Sequence, residues 1–159
     1  MFPRLRLEVT PASSLSPPPR DELGKVIPHD HEGITNDDWA IRRVSDRHLV
    51  YDPKIGGKKI SSILFSASTG INGGMSVDLQ KQIEEAGADV KAFVTTPRWM
   101  GSVRFMVGPL RSEKFMVGSH PTKPNPYHGE VWGDFSNSRQ DKLKKLCEWF
   151  VPIQGVSIF

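Results

Sequence analysis

At 159 residues the chain has room for a single domain with a real core. Its 37% apolar and 25% charged residues exclude a disordered polyelectrolyte, and no apolar run approaches the ~20 residues that span a bilayer, so no membrane association is expected. A net charge of +3 admits an anionic partner without requiring one, and the lone cysteine, Cys147, excludes an intrachain disulfide.

No apolar stretch of signal-peptide type follows Met1-Phe2-Pro3-Arg4, so a cytoplasmic location is expected. Residues 4–9 alternate, with Leu5, Leu7 and Val9 on one side, which predicts a short half-buried strand. Pro11 to Arg20 carries Ser13, Ser14, Ser16 and Pro17-Pro18-Pro19 and reads as a polyproline-like spacer. The expected organisation is therefore an N-terminal strand plus linker over 1–38 and one α+β domain over 39–159. His29 and His31 stand at i, i+2, on one side of an extended segment, which is metal-ligand spacing.

Trp39 to Val44 predicts a strand, His48 to Tyr51 a second, and Ser45-Asp46-Arg47 the turn between them. Arg42 and Arg43 point to opposite faces of such a strand, so one of them belongs inside or on a site, where a guanidinium binds carboxylate or phosphate. Asp52 to Lys59 is a basic, glycine-containing loop without P-loop spacing. Ile63-Leu64-Phe65 predicts a core strand flanked by Ser61, Ser62, Ser66 and Ser68, followed by a flexible loop through Gly70, Gly73 and Gly74. Ser76 is placed to N-cap a helix over 77–86, with Asp78 in its first turn, Leu79 and Ile83 inward, and Gly87 ending it. Val90 to Thr95 predicts a strand, and Arg98-Trp99 a loop pair able to stack on a ring. The echo Arg104-Phe105-Met106-Val107-Gly108 and Lys114-Phe115-Met116-Val117-Gly118 suits two strands joined by a loop around Pro109 to Glu113.

The most informative stretch runs from Asn125 to Gly133. Pro121, Pro124 and Pro126 stiffen the approach, and Tyr127, Val131 and Trp132 are strand formers. His128 titrates near neutrality, and Glu130 shares its strand face, a pairing suited to acid–base chemistry, metal ligation or sugar-hydroxyl binding. A final helix over 139–150 is expected to bury Leu143, Leu146, Cys147 and Phe150, making Cys147 an inert thiol. Pro152 stops this helix, and a closing edge strand follows. Many strands with two main helices (77–86 and 139–150) predict an α+β fold with a mostly antiparallel sheet.

Arg42-Arg43, Asp52-Pro53, Ser61-Ser62 before Phe65, Met75-Ser76-Val77, and Asn125-Pro126 with His128 leading to Gly133 resemble a family of small uncharacterised bacterial proteins. The resemblance runs over residues 39–150. It implies a bacterial setting linked to defence or mobile elements, and no activity.

Arg42, Arg43, Ser61, Ser62, Ser66, Asn125, His128 and Glu130 form the candidate ligand-binding set, gathered around a pocket at His128. Without a complete catalytic constellation, the first expectation is a binding or adaptor module of a bacterial multi-protein system. Its partner would be a protein, and its ligand an anionic small molecule or nucleic acid; no cofactor is specified. A second expectation is an ADP-ribosyltransferase-like enzyme acting with NAD. The order Arg42 or Arg43, then Ser66-Ala67-Ser68, then Glu130, resembles the arginine–serine–glutamate class of that superfamily, from which His128 departs. That resemblance implies an arginine on the pyrophosphate, serines at the nicotinamide and a glutamate at the ribosyl transition state. A third expectation is a metal- or histidine-dependent nuclease built on His29, His31 and His128.

Overall fold

A computed structural model describes residues 15–68, 73–95 and 98–159. The expected strand over 4–9 lies outside the described residues. In chain order the elements are β1 (Trp39–Val44), β2 (Leu49–Asp52), β3 (Gly57–Ile60), β4 (Met75–Leu79), α1 (Gln80–Glu85), α2 (Val90–Val94), β5 (Gly101–Met106), α3 (Val107–Ser112), β6 (Met116–Ser119), β7 (His128–Trp132), α4 (Asn137–Leu146), β8 (Cys147–Val151) and β9 (Val156–Ser157). Short 3-10 turns cover Asp46–His48 and Ser62–Phe65. A six-stranded sheet in the order β6-β7-β4-β1-β5-β8 is antiparallel throughout. A smaller sheet, β2-β3-β9, adds the one parallel pair among the described residues, β3 with β9. The class is α+β with a mostly antiparallel sheet, as expected.

The large sheet has two unlike faces, because side chains alternate along each strand. On one face Ala40, Val44, Met75, Val77, Val103, Phe105, Val117 and Val131 form the main core with Leu64, Phe65, Leu110 and Leu143. The 3-10 turn at Ser62–Phe65, α3 and α4 supply those last four. On the other face a smaller cluster unites Ile41 with Ile83, Val94 and Tyr127, and Phe93 and Phe150 pack against it. The rest of that face, over β4 and β7, carries the polar Ser76, Asp78, His128 and Glu130, with Trp132 at the end of β7.

Several expected elements are corrected. The helix expected over 77–86 starts only at Gln80, since Met75–Leu79 is strand β4. Met75, Val77 and Leu79 alternate into the main core, so a period of two overrides the helical spacing of Leu79 and Ile83. The helix expected over 139–150 spans Asn137–Leu146; Cys147–Val151 continues as β8 against β5, as befits a stretch with Trp149, Phe150 and Val151. Ile63-Leu64-Phe65 is not a strand but part of a 3-10 turn, capped by Ser61 Oγ, which accepts the Ile63 N–H at 3.3 Å. Val90–Val94 is helical rather than extended, because Asp89 caps it by accepting the Ala92 N–H at 3.2 Å. Residues 107–112 form α3 instead of a loop. Pro109 falls in its first turn, where a missing N–H costs nothing. The expected closing strand shrinks to Val156–Ser157.

Residues 15–38 run along the sheet. Ile34 belongs to the main core and Leu15 packs against it, so no gap in packing coincides with the division expected at residue 38. The segment also completes the outer side of β6. Asp30 Oδ1 accepts the Val117 N–H at 2.9 Å, His29 Nε2 accepts the Ser119 N–H at 3.1 Å, and the His31 N–H donates to Val117 O at 2.9 Å. No helix among the described residues is long and apolar enough to cross a membrane.

Candidate functional site

In the sheet Asp78 of β4 stands opposite His128 of β7 and opposite Ile41 of β1, while Ser76 stands opposite Glu130. Alternation sends Ser76, Asp78, His128 and Glu130 to the face away from the main core. Arg43 of β1 joins them there. The proline-rich segment before His128 arches above this face and is latched to it by Asn125. The Asn125 amide donates to Asp78 Oδ1 at 2.7 Å and accepts the Tyr127 N–H at 3.0 Å. A cleft of about 390 Å³ results, lined among others by Arg43, Asp78, Phe93, Trp99, Asn125 and His128.

Asp78 is the hub of the floor. Arg43 grips it with Nε to Oδ2 at 2.8 Å and Nη2 to Oδ1 at 3.1 Å, a two-pronged pair that fixes the guanidinium plane. The same guanidinium lies 5.5 Å from the centre of the Phe93 ring, and Arg98 lies 5.1 Å from that of Trp99. Arg43 Nη1 makes no hydrogen bond among the described residues and remains a donor for a ligand. Arg42 points to the opposite face, as the alternation requires. Buried there, it donates from Nε to Leu64 O at 3.0 Å and from Nη1 to Ser76 O at 3.1 Å. Burial, reinforced by Arg47, lowers its pKa to about 10. Arg42 therefore pins the 3-10 turn beneath the cleft, and Arg43 is the arginine of the site.

Beside the cleft lies a second cluster. His128 Nδ1 contacts His120 O at 2.7 Å; a carbonyl only accepts, so Nδ1 carries the proton and Nε2 keeps its lone pair. Burial lowers the His128 pKa, partly opposed by that hydrogen bond, and favours the neutral ring. His120 Nδ1 meets Glu130 Oε2 in a short contact, and the His120 and His128 ring centres are 5.0 Å apart. Glu130 is only 2% exposed, and its Oε1 accepts the Gly74 N–H at 2.7 Å. No lysine or arginine pairs with it among the described residues. His120, His128 and Glu130 each place one potential ligand atom within 4.8 Å of the others.

The structure thus gathers Arg43, Asn125, His128 and Glu130 of the expected set on one face. Arg42 sits behind it. Ser61, Ser62 and Ser66 do not line the cleft; Ser61 caps the 3-10 turn and Ser66 Oγ donates to Ile63 O at 2.6 Å. Ser68, given only as a flanking residue, comes nearer. Its Oγ accepts the Ser76 N–H and donates to Ser76 Oγ, both at 2.9 Å. His29 and His31 do not join His128. His29 Nδ1 donates to Ile27 O at 2.8 Å, and its Nε2 takes the Ser119 N–H at 3.1 Å. His31 Nε2 donates to Ser16 O and its Nδ1 accepts the Gly33 N–H, both at 2.9 Å. With every ring nitrogen engaged by main chain, the two fasten the N-terminal segment. Asp78, Phe93 and His120 are the site residues that the sequence reading missed. His120 is brought in by the β6–β7 register, which sets position 120 across from 128, as the His120 N–H to His128 O bond of 2.9 Å shows.

Cys147 is half-buried at the start of β8. Its Sγ lies 3.2 Å from Lys144 O, and burial pushes the thiol pKa up to about 12. A scan against protein-family models gave no match, and neither a curated protein nor a solved structure matched the chain.

Proposed function

We propose that the chain is a binding module whose cleft takes a small planar ligand with an anionic edge. The observation that carries this reading is the pairing of two aromatic walls, Phe93 and Trp99, with the prefixed Arg43–Asp78–Asn125 network on the floor. Arg43 and Asp78 balance each other on the floor, and the buried Arg42 beneath it leaves one net positive charge, which suits an anion. Arg43 Nη1 supplies the donor that meets the anionic edge of the ligand. The ligand would stack on the aromatic rings, and the fixed floor would read its edge without further ordering. The resemblance to bacterial proteins of defence or mobile-element context extends the proposal to an adaptor working with a protein partner.

Two features weigh against the transferase alternative. Arg42 is committed to main-chain carbonyls and Arg43 to Asp78, and Glu130 is enclosed by Gly74 and His120. The test is calorimetric titration with aromatic carboxylates, mononucleotides and NAD. Saturable binding of a planar anion is expected, weakened about tenfold or more by Trp99→Ala and by Arg43→Lys, the latter because a lysine loses the two-pronged fork. Absence of binding across these ligands refutes the proposal, and release of nicotinamide from NAD would favour the transferase instead.

A further inference from the structure

We propose that His120, His128 and Glu130 hold a divalent transition-metal ion beside the cleft. Three independent features of the chain point there. The first is convergence: each of the three residues offers a ligand atom within 4.8 Å of the others, and a tetrahedral site with bonds near 2.1 Å needs such atoms roughly 3.3 Å apart, so an ion enters as the short His120–Glu130 contact opens. The second is preparation of the ligands. His128 donates Nδ1–H to His120 O, which fixes its ring and leaves Nε2 as its ligand nitrogen; histidine ligands of metals are commonly fixed through their other nitrogen in this way. Glu130 is likewise held, through the Gly74 N–H on Oε1, leaving Oε2 for a cation. The third is electrostatic. Glu130 is 2% exposed, and among the described residues its side chain meets no lysine or arginine but only His120, so a cation bound between the two would supply the fixed positive charge that a buried carboxylate favours.

His128 ligates through Nε2. The ion takes the position between His120 Nδ1 and Glu130 Oε2, replacing the proton that the two otherwise share. Two imidazoles and one carboxylate match the donor preferences of zinc and of other late first-row divalent ions rather than those of magnesium or calcium. Three protein ligands leave a fourth position for water or another donor, and His128 connects that centre with the cleft it lines. The inference stands apart from the identity of the cleft ligand, since its probe is the metal alone.

The full-length chain, stripped with a chelator, is titrated with Zn²⁺ in a calorimeter, and Co²⁺ is followed by its visible absorption. One Zn²⁺ per chain and a Co²⁺ spectrum of low-coordinate type are expected. His120→Gln and His128→Gln should each weaken Zn²⁺ binding more than ~10-fold while circular dichroism stays native. Cys147→Ser should leave the affinity unchanged, which removes the thiol as a ligand. Glu130→Gln serves as a third variant where it folds; where it does not, the two histidine variants decide. Failure to bind Zn²⁺ saturably, or equal affinity in wild type and both histidine variants, overturns the proposal and leaves Glu130 and His120 sharing a proton only.

Discussion

Acidification should destabilise this protein through His48. His48 is 2% exposed and ends the 3-10 turn between β1 and β2. Its Nδ1 accepts the Ser45 N–H at 3.0 Å, and its carbonyl accepts the Ser61 N–H at 2.7 Å, so it ties the end of β1 to the turn that Arg42 pins. Burial first, then the charges of Arg42 and Arg47, lower its pKa from 6.5 to about 4. A proton on Nδ1 would turn the acceptor into a donor facing an N–H and add a cation beside two guanidinium groups. Because the folded value lies below the unfolded one, the unfolded chain binds the extra proton between these two pH values. The contribution is intact above pH 6.5 and is lost as the pH falls toward 4. At 1.36 kcal/mol per pH unit, the whole displacement amounts to about 3 kcal/mol, a large part of the 5–15 kcal/mol that stabilises a typical domain. Burial also lowers the pKa of His29 and His128, so the total slope is not specific to His48. The discriminating measurement is a set of urea melts from pH 7.5 to 4.5 on wild type and His48→Gln. Wild type should lose about 2–3 kcal/mol more than the variant over that range. Parallel stability curves would show that His48 is not held neutral by its surroundings.

Leu143 is fully buried in the main core from α4, so Leu143→Ala should cost about 2–5 kcal/mol in a denaturant melt; a loss below 1 kcal/mol would mean that α4 does not cover the sheet. Cys147, with its thiol pushed up to about 12, should react with a thiol reagent at pH 8 far more slowly in the folded chain than in urea. Equal rates would show that the start of β8 is open to solvent.

Strand β1 was readable because Ala40 and Val44 must reach one core while Ile41 reaches the other, and the flanking arginines mark a chain crossing between a wet and a dry face. β7 was readable from its stiff entry and its strand formers. Met75 to Leu79 was not. Ser76-Val77-Asp78 looks like a capped helix start, and only the flanking strands β1 and β7, remote in sequence, decide for extension. The same holds at the far end. Leu143, Leu146 and Phe150 keep helical spacing, yet Trp149 packs into the main core and Phe150 into the opposite cluster, the alternation of a strand. At the site, His128 and Asn125 were legible from the proline-stiffened approach. His120 and Phe93 were not, since a strand register brings in the first and a helix misread as a strand carries the second.

The outer side of β6 has a consequence for how this chain can meet others. An unpaired margin of a sheet is a template on which a foreign strand can lie down, whether a partner's or that of another copy. Here the outward N–H groups of Val117 and Ser119 are taken by Asp30 and His29, and the Val117 carbonyl by the His31 main chain. Two of those three contacts use side chains, so they present no repeating ladder of their own for a further strand to copy. The opposite margin, β8, pairs with β5 across a register shift between Ser102 and Val103, an irregularity of the kind that twists an edge away from flat stacking. Strand addition to the large sheet is thereby blocked at the β6 margin and disfavoured by irregularity at the β8 margin.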